Sequence, residues 1–348
     1  MNRGAAGSPR VERLTELYRV MCRARFAEQA LRDLWHRGLV SGEMHLGIGE
    51  EAVVAGVVTH LRDGDALALD YRSTPPLVAR GVELEPLLLE VLGSEDGLCG
   101  GRAGHMHLMS RPHLAAASGI VGAPGPLVCG LGLAAKHAGA GGVAVAFFGD
   151  GAVNEGMLME SLNLASVWRL PVLFVCKDNR WAVTTRSAAL TGGGLARRLG
   201  AFGLPVARVD GTDVERVDRV AGRLVARLRR GGPASVLLAR CERGEGHFLG
   251  DPLVRMAGAA GELTAEVRPL LRLLGGPGAP LSARVGALLS IGRRVAVAGG
   301  PRPRWRDPMR RAARRLPDRV ARAVERSAKA EVDSAVDAAL RRTGFADA

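Results

Sequence analysis

VAVAFFGDGAVNEGMLMESLNLASVWRLPVLFVCKDN, residues 143–179, decides the fold. Its first six residues are an unbroken apolar run, the pattern of a parallel strand covered on both faces. Gly149-Asp150-Gly151 breaks the run, residues 152–168 return to helical periodicity, and VLFVCK (172–177) is a second buried strand. VARVD (206–210), a helix near 213–229 and SVLLAR (235–240) continue the alternation. Strand and helix in turn predict a doubly wound, mostly parallel α/β sheet. In such sheets ligands sit at the carboxyl ends of the strands. Here those ends carry Gly149-Asp150-Gly151, Asp178-Asn179, Asp210-Gly211 and the loop 241–252.

Toward the N-terminus, Leu14, Leu17, Met21, Leu31 and Leu34 predict a helix over 11–36, closed by Gly38. A second helix is expected over 50–60, and a short buried strand, ALALD (66–70), delivers Tyr71 and Arg72. Residues 83–92 and 127–138 read as helices. Between them 97–126, rich in Gly, His and Pro, reads as a functional loop. Residues 1–10 read as a disordered basic tail and 11–255 as the ligand-binding domain. Residues 256–306 form a Gly-, Pro- and Ala-rich segment with no clear strand, and 307–348 a helical extension packed on the same domain. There is no internal repeat.

The chain has 348 residues, 47% of them hydrophobic and 24% charged, which fits a soluble globular protein. No apolar run approaches the roughly 18 residues of a membrane span. Five scattered cysteines without a CxxC pair argue against a zinc site and for reduced thiols in the cytoplasm. The formal charge is +13, and only three of the 48 basic residues are lysines. Abundant Arg, Ala and Gly look like the bias of a GC-rich genome, so nucleic acid is not the expected partner. Locally, residues 293–326 hold twelve arginines against three acids. Such a face can bind a polyanion or simply be solvated; the solvated helical face is the simpler reading.

The chemistry lies at the strand ends. Glycines flanking Asp150 let backbone approach a ligand closely. A helix expected from about Ala152 would point its N-terminus at the same spot, which favours phosphate. An Asp there repels phosphate unless a divalent cation lies between them, so Asp150 can be read as a hard-oxygen metal ligand; for GDG alone, a helix cap in a tight turn is the preferred reading. Asn179, 29 positions later, ends the neighbouring strand.

A GDG followed by an Asn one strand–helix–strand unit later resembles the thiamine diphosphate motif. The wider stretch 147–185 resembles the alpha subunit of the two-chain E1 component of 2-oxoacid dehydrogenases (pyruvate, branched-chain and acetoin). GEMHLGIGEEAVVAGV (42–57), YRSTPPLVARGV (71–82), GRAGHMHLM (101–109), GIVGAPGPLVCGLGLA (119–134) and RGEGHFLGDP (243–252) follow in that family's order. AEVDSAVDAAL (330–340) resembles its last helix.

The resemblance implies a thiamin-diphosphate-binding fold with helical extensions at both ends. It implies Mg²⁺ held by the side chains of Asp150 and Asn179 and the backbone carbonyl of Trp181. Tyr71 and Arg72 would contact the diphosphate, Gly119 and Val121 the aminopyrimidine end, and Gly151 and Ala152 would present backbone near the phosphates. His247 would reach both the diphosphate and the reacting centre as the catalytic residue. The activating Glu would come from an E1 beta subunit in an α2β2 heterotetramer. Oxidative decarboxylation of a 2-oxoacid would load a lipoyl arm on an E2 protein. The alternatives are an acetoin-cleaving or acyloin-forming subunit and a catalytically silent paralogue. His105 and His107 match no catalytic position of the family and read as loop residues; Lys136 and Trp168 read as packing or surface residues.

The sequence departs from the family at several points. Ser73-Thr74-Pro75-Pro76 stands where a histidine usually follows the Tyr-Arg pair. Pro124 replaces a Gln, Lys177-Asp178-Asn179 an ENN triplet, and Trp181 a Tyr. Phe248 stands where mitochondrial pyruvate dehydrogenases often carry a regulatory serine, so phosphorylation there is lost.

Overall fold

Two-sided burial of the apolar runs requires a parallel sheet with helices on both faces, and this is what forms. The computed structural model describes residues 7–243, 245–250, 280–286, 288–289 and 306–345. The chain divides into two units, Met1–Gly244 with Arg306–Ala348, and Glu245–Trp305. The first holds the sheet. The described part of the second includes residues 245–250 and a helical run over 281–286.

In the first unit, α1 (Pro9–His36) is followed by α2 (Glu51–Val58), β1 (Ala66–Leu69), α3 (Thr74–Arg80) and α4 (Leu84–Val91). Next come β2 (Met109–Ser110), β3 (Ala115–Ala117), α5 (Pro124–Ala138), β4 (Ala144–Gly149), a 3-10 turn (Asp150–Asn154) and α6 (Gly156–Val167). Then β5 (Val172–Asp178), the hairpin β6 (Trp181–Ala182) and β7 (Thr185–Arg186), α7 (Leu195–Leu199), β8 (Val206–Asp210), α8 (Val214–Arg229) and β9 (Ser235–Arg240) follow. Two helices, α9 (Pro308–Ala313) and α10 (Asp318–Thr343), close the unit.

The sheet order is β2-β3-β1-β4-β5-β9-β8, parallel except for the β2/β3 pair. Alternation sends Phe147, Val175 and Leu237 to one face, against Val53 and Val57 of α2 and Val217 and Val225 of α8. It sends Phe148, Phe174 and Val236 to the other, against Leu158 and Leu162 of α6. Each such side chain, fully buried, contributes roughly 1.5–3 kcal/mol. A third cluster joins Leu14, Leu17 and Met21 of α1 to Met309, Ala312 and Val324 of α9 and α10.

Five local expectations change. Helix α1 begins at Pro9, inside the stretch read as a tail, because the Ser8 side chain accepts from the Val11 N–H and Pro sits at the first helical turn. Part of 97–126 forms the short strands β2 and β3, and α5 starts at Pro124 rather than near residue 127. The α-helix after the GDG turn starts at Gly156, not at about Ala152, since a 3-10 turn over Asp150–Asn154 intervenes. The 241–252 loop crosses the boundary between the two units.

The arginine-rich stretch is partly consumed inside the fold. Arg311 bonds Asp210 (2.6 Å) and Asp213 (2.7 Å), and Arg315 bonds Asp213 (2.9 Å) and Glu215 (2.8 Å). Arg10, at the start of α1, bonds Glu215 from the other end of the chain at 2.7 Å. Arg10 and Arg315 hold the Glu215 carboxyl below its usual range. Residues 293–305 lie outside the described residues.

Helix α2 lies close on α8 because Gly56 has no side chain. A Cβ there would stand 2.7 Å from Val217 Cγ1 and 2.9 Å from the Asp218 backbone nitrogen. Gly56→Ala is expected to push the helices apart and cost about 1–3 kcal/mol. A lowered urea midpoint with unchanged m-value would register this; an unchanged midpoint would show that the contact has slack.

Candidate active site

The carboxyl ends of β1, β4 and β5 lie side by side, so the residues just after them are gathered without any special folding of their loops. After β1, the Asp70 carboxylate accepts the Arg72 N–H at 3.1 Å, fixing a tight turn. Arg72 is buried, donates to the Leu46 carbonyl, and its guanidinium lies 5.4 Å from the centre of the Tyr71 ring. Tyr71 meets His45 edge-on, with ring centres 4.7 Å apart.

After β4, Asp150 is fully buried. One carboxylate oxygen accepts the Ser187 hydroxyl, while Oδ1 has no hydrogen-bond partner among the described residues. Burial pushes the carboxyl pKa up to about 6, against the opposing pull of Ser187. A buried acceptor left unmade costs about 1–3 kcal/mol, so this oxygen stands ready for a partner that the described residues do not supply.

After β5, Asn179 Oδ1 accepts the Trp181 N–H at 3.0 Å and Asp178 accepts the Arg180 N–H at 3.1 Å. The chain then turns into the β6–β7 hairpin, where Arg186 stacks 5.3 Å over Trp181. The hairpin closes on the GDG turn because Gly151 has no side chain: a Cβ there would lie 2.9 Å from that of Ala182.

These ends enclose a cavity of about 330 Å³. Tyr71, Arg72, Val121, Gly151, Ala152, Asn179 and Trp181 all line it. Asp150 follows Gly149, which also lines it. Gly119 lies two residues before Val121, where a Cβ would meet His107 Nε2 at 3.0 Å. His247 belongs to the second unit, where its ring meets that of Phe248 edge-on at 6.0 Å. No group of three or more His, Cys, Asp or Glu side chains capable of holding a metal occurs among the described residues. The open donor set at the strand ends is one carboxylate oxygen with nearby amide and carbonyl oxygens. Hard oxygen donors of this kind suit a small dication that keeps further bonds to phosphate.

Sequence reasoning passed over three charged residues here. Lys177, 1% exposed, bonds Glu50 at 2.7 Å and Asp70 at 3.1 Å, and both carboxylates line the cavity. Burial works against the Lys177 charge, but Asp70 and Glu50 raise its pKa above the ordinary lysine value. The available signal was its identity: a lysine at a strand end in a chain that otherwise uses arginine.

His105 lies in a turn, as expected of a loop residue, and is half-buried. Its Nε2 accepts the His45 backbone N–H at 3.1 Å, so its own proton must sit on Nδ1. His45 Nδ1 lies 3.2 Å from the same nitrogen. Lys136 and Trp168 are surface residues as expected, Lys136 Nζ donating to the Trp168 carbonyl at 2.7 Å.

The family of dehydrogenase E1 components matches residues 18–268, and the chain belongs to it. The chain is 40% identical over 267 residues to the alpha subunit of acetoin:2,6-dichlorophenolindophenol oxidoreductase from Cupriavidus necator, covering 76% of this chain and 80% of the relative. It is 38% identical over 242 residues to the subunit of the same name from Bacillus subtilis, with 69% and 73% covered. It is 37% identical over 239 residues to the pyruvate dehydrogenase E1 component subunit alpha of Rhizobium meliloti, with 68% of each covered.

Burial, then Arg72 and His107, push the His105 pKa down to about 4. Its folded value lies below the ordinary one, so its contribution is complete above about pH 6.5 and is lost as pH falls toward 4. That loss amounts to at most about 3 kcal/mol. Chemical denaturation at pH 7 and pH 5 is expected to show a smaller acid loss for His105→Asn than for the parent chain. Equal losses would place the imidazole in a solvated setting.

Proposed function

We propose that this chain is the alpha subunit of a two-subunit E1 enzyme that uses thiamine diphosphate and Mg²⁺ to decarboxylate a small 2-oxoacid and pass the acyl group to a lipoyl-bearing E2 partner. The unpaired Oδ1 of buried Asp150, beside the ends that carry Asn179 and Arg72, is the observation that carries this reading. Asp150, Asn179 and the Trp181 carbonyl would hold Mg²⁺. Arg72 and Tyr71 would bind the diphosphate, Arg72 with paired donors. Gly151 and Ala152 would present backbone close to the phosphates, and Gly119 and Val121 would meet the aminopyrimidine end.

The bound cofactor supplies a carbon nucleophile for attack on the substrate carbonyl. The chain's own part is to fix the diphosphate, exclude water from the sheet edge, and hold the cofactor in register with a partner surface. His247 would donate to phosphate and move a proton near the reacting centre. Exposed Ile120, Val121, Val183 and Leu190 support a beta subunit covering this edge, the last three lining the cavity itself. The free thiols, four of them buried, fit a reducing cytoplasmic setting.

A second reading takes acetoin as the substrate. It is favoured by the two relatives named as acetoin oxidoreductases, at 40% and 38% identity.

The deciding assay uses the chain co-produced with its beta-type partner, a panel of 2-oxoacids and acetoin, and an artificial electron acceptor. Turnover is expected only with both subunits, Mg²⁺ and thiamine diphosphate together. Robust decarboxylation by the isolated chain would overturn the two-subunit reading, and preference for acetoin over every 2-oxoacid would select the second. Asp150→Ala should keep the fold while calorimetric titration shows sharply weaker binding of thiamine diphosphate with Mg²⁺; unchanged affinity would remove Asp150 from the metal site. His247→Ala should leave cofactor binding intact and slow turnover by roughly 10²–10⁴-fold. Wild-type turnover would make His247 a bystander.

A further inference from the structure

The cavity proposed to take a diphosphate is bordered by carboxylates. Glu50, Asp70 and Glu155 line it, against the cations Arg72 and Arg243. Two of those carboxylates converge on one buried cation, Lys177. Lys177 comes from β5, Asp70 from the end of β1, and β4 lies between these strands with Gly149 as the register partner of Lys177. The ammonium therefore spans the central strand of the site. Asp70 Oδ1 accepts from Lys177 and also from the Arg72 N–H, so one atom joins the lysine to the turn that presents Arg72. Glu50 stands immediately before α2, so the same ammonium also ties down the start of that helix.

Buried ion clusters are poor stabilisers. Desolvation offsets most of their attraction, and well-packed apolar residues of similar volume often do as well. A cluster with two acids and one base at the wall of a cavity thus calls for a reason other than stability. Repulsion supplies one: without the ammonium, Glu50 and Asp70 would stand uncompensated beside an anionic ligand.

We propose that Lys177 is a positioning residue for the diphosphate, acting through its two partners: it neutralises Glu50 and Asp70 in the cavity wall so that the cavity can accept an anion beside Arg72. The proposal rests on the thiamine diphosphate reading.

The test is calorimetric titration of Mg-thiamine diphosphate into the full chain co-purified with its partner subunit, with the melting temperature of each variant measured alongside. Lys177→Met is expected to weaken binding about 10- to 100-fold, the effect of an uncompensated charge several ångströms away at an effective dielectric near 20. The triple variant Lys177→Met, Glu50→Gln, Asp70→Asn removes the carboxylates with the lysine and keeps an acceptor at position 70 for the Arg72 amide. It should bind within a few-fold of the parent. A triad that is only a structural tie predicts the opposite, because the triple variant lacks every ionic bond and would bind as weakly as the single one. Parent-like affinity in Lys177→Met, or a triple variant that stays weak, overturns the proposal. If Lys177→Met fails to fold, the triple variant alone decides, on the same criterion. A parent complex that takes up no cofactor would instead overturn the thiamine diphosphate reading, and this inference with it.

Discussion

A single buried carboxylate organises the site. Asp150 is placed at the end of the sheet's central strand with no exposure and with one oxygen unmatched among the described residues. It can occupy that position only because the surroundings make the approach possible. Gly149 and Gly151 flank it, Ser187 closes its other oxygen, and the hairpin after β5 folds down onto Gly151. Parallel pairing of β1, β4 and β5 then does the rest. Equal register brings three chain ends to one edge, each already turned by its own side-chain cap: Asp70 to Arg72, Asp178 to Arg180, Asn179 to Trp181.

Charge is the second constraint, because the same edge collects acids as well as bases. Glu50, Asp70, Asp150 and Asp178 all lie close to the ends of β1, β4 and β5, and two of the nearby cations, Arg72 and Lys177, are nearly inaccessible. Buried charges interact more strongly than exposed ones, so the balance among these few groups outweighs the overall excess of arginine on the surface. The net charge of +13 therefore says little about what this cavity attracts.

The parts legible in the sequence are those whose signal is local. VAVAFF and VLFVCK read as buried strands because both their faces are covered, and Asp150 and Asn179 fall at their ends because a strand must end where its apolar run does. β2 and β3, two and three residues long, leave no period to detect. The start of α6 was misplaced by about one turn because 3-10 and α geometry share a periodicity too closely to be separated over five residues. The Lys177 cluster was invisible for a different reason: its partners lie 107 and 127 positions away, and only the strand order makes them neighbours. His105 likewise reaches across 60 positions to His45. Covalent neighbours announce themselves in a sequence; neighbours across a sheet do not.

The arginine pairs at Glu215 give the molecule a property that neither helix has alone. One carboxylate receives Arg10 from the first turn of α1 and Arg315 from just beyond α9, residues 305 positions apart. The first helix and the link between α9 and α10 are thereby moored to a single point at the start of α8. The two links are unequal: the Arg10 side chain is mostly exposed, as in a weak surface pair, while that of Arg315 is about two-thirds covered. A tag or extension placed ahead of Pro9 would therefore meet the weaker of the two moorings first and leave the one to Arg315 in place.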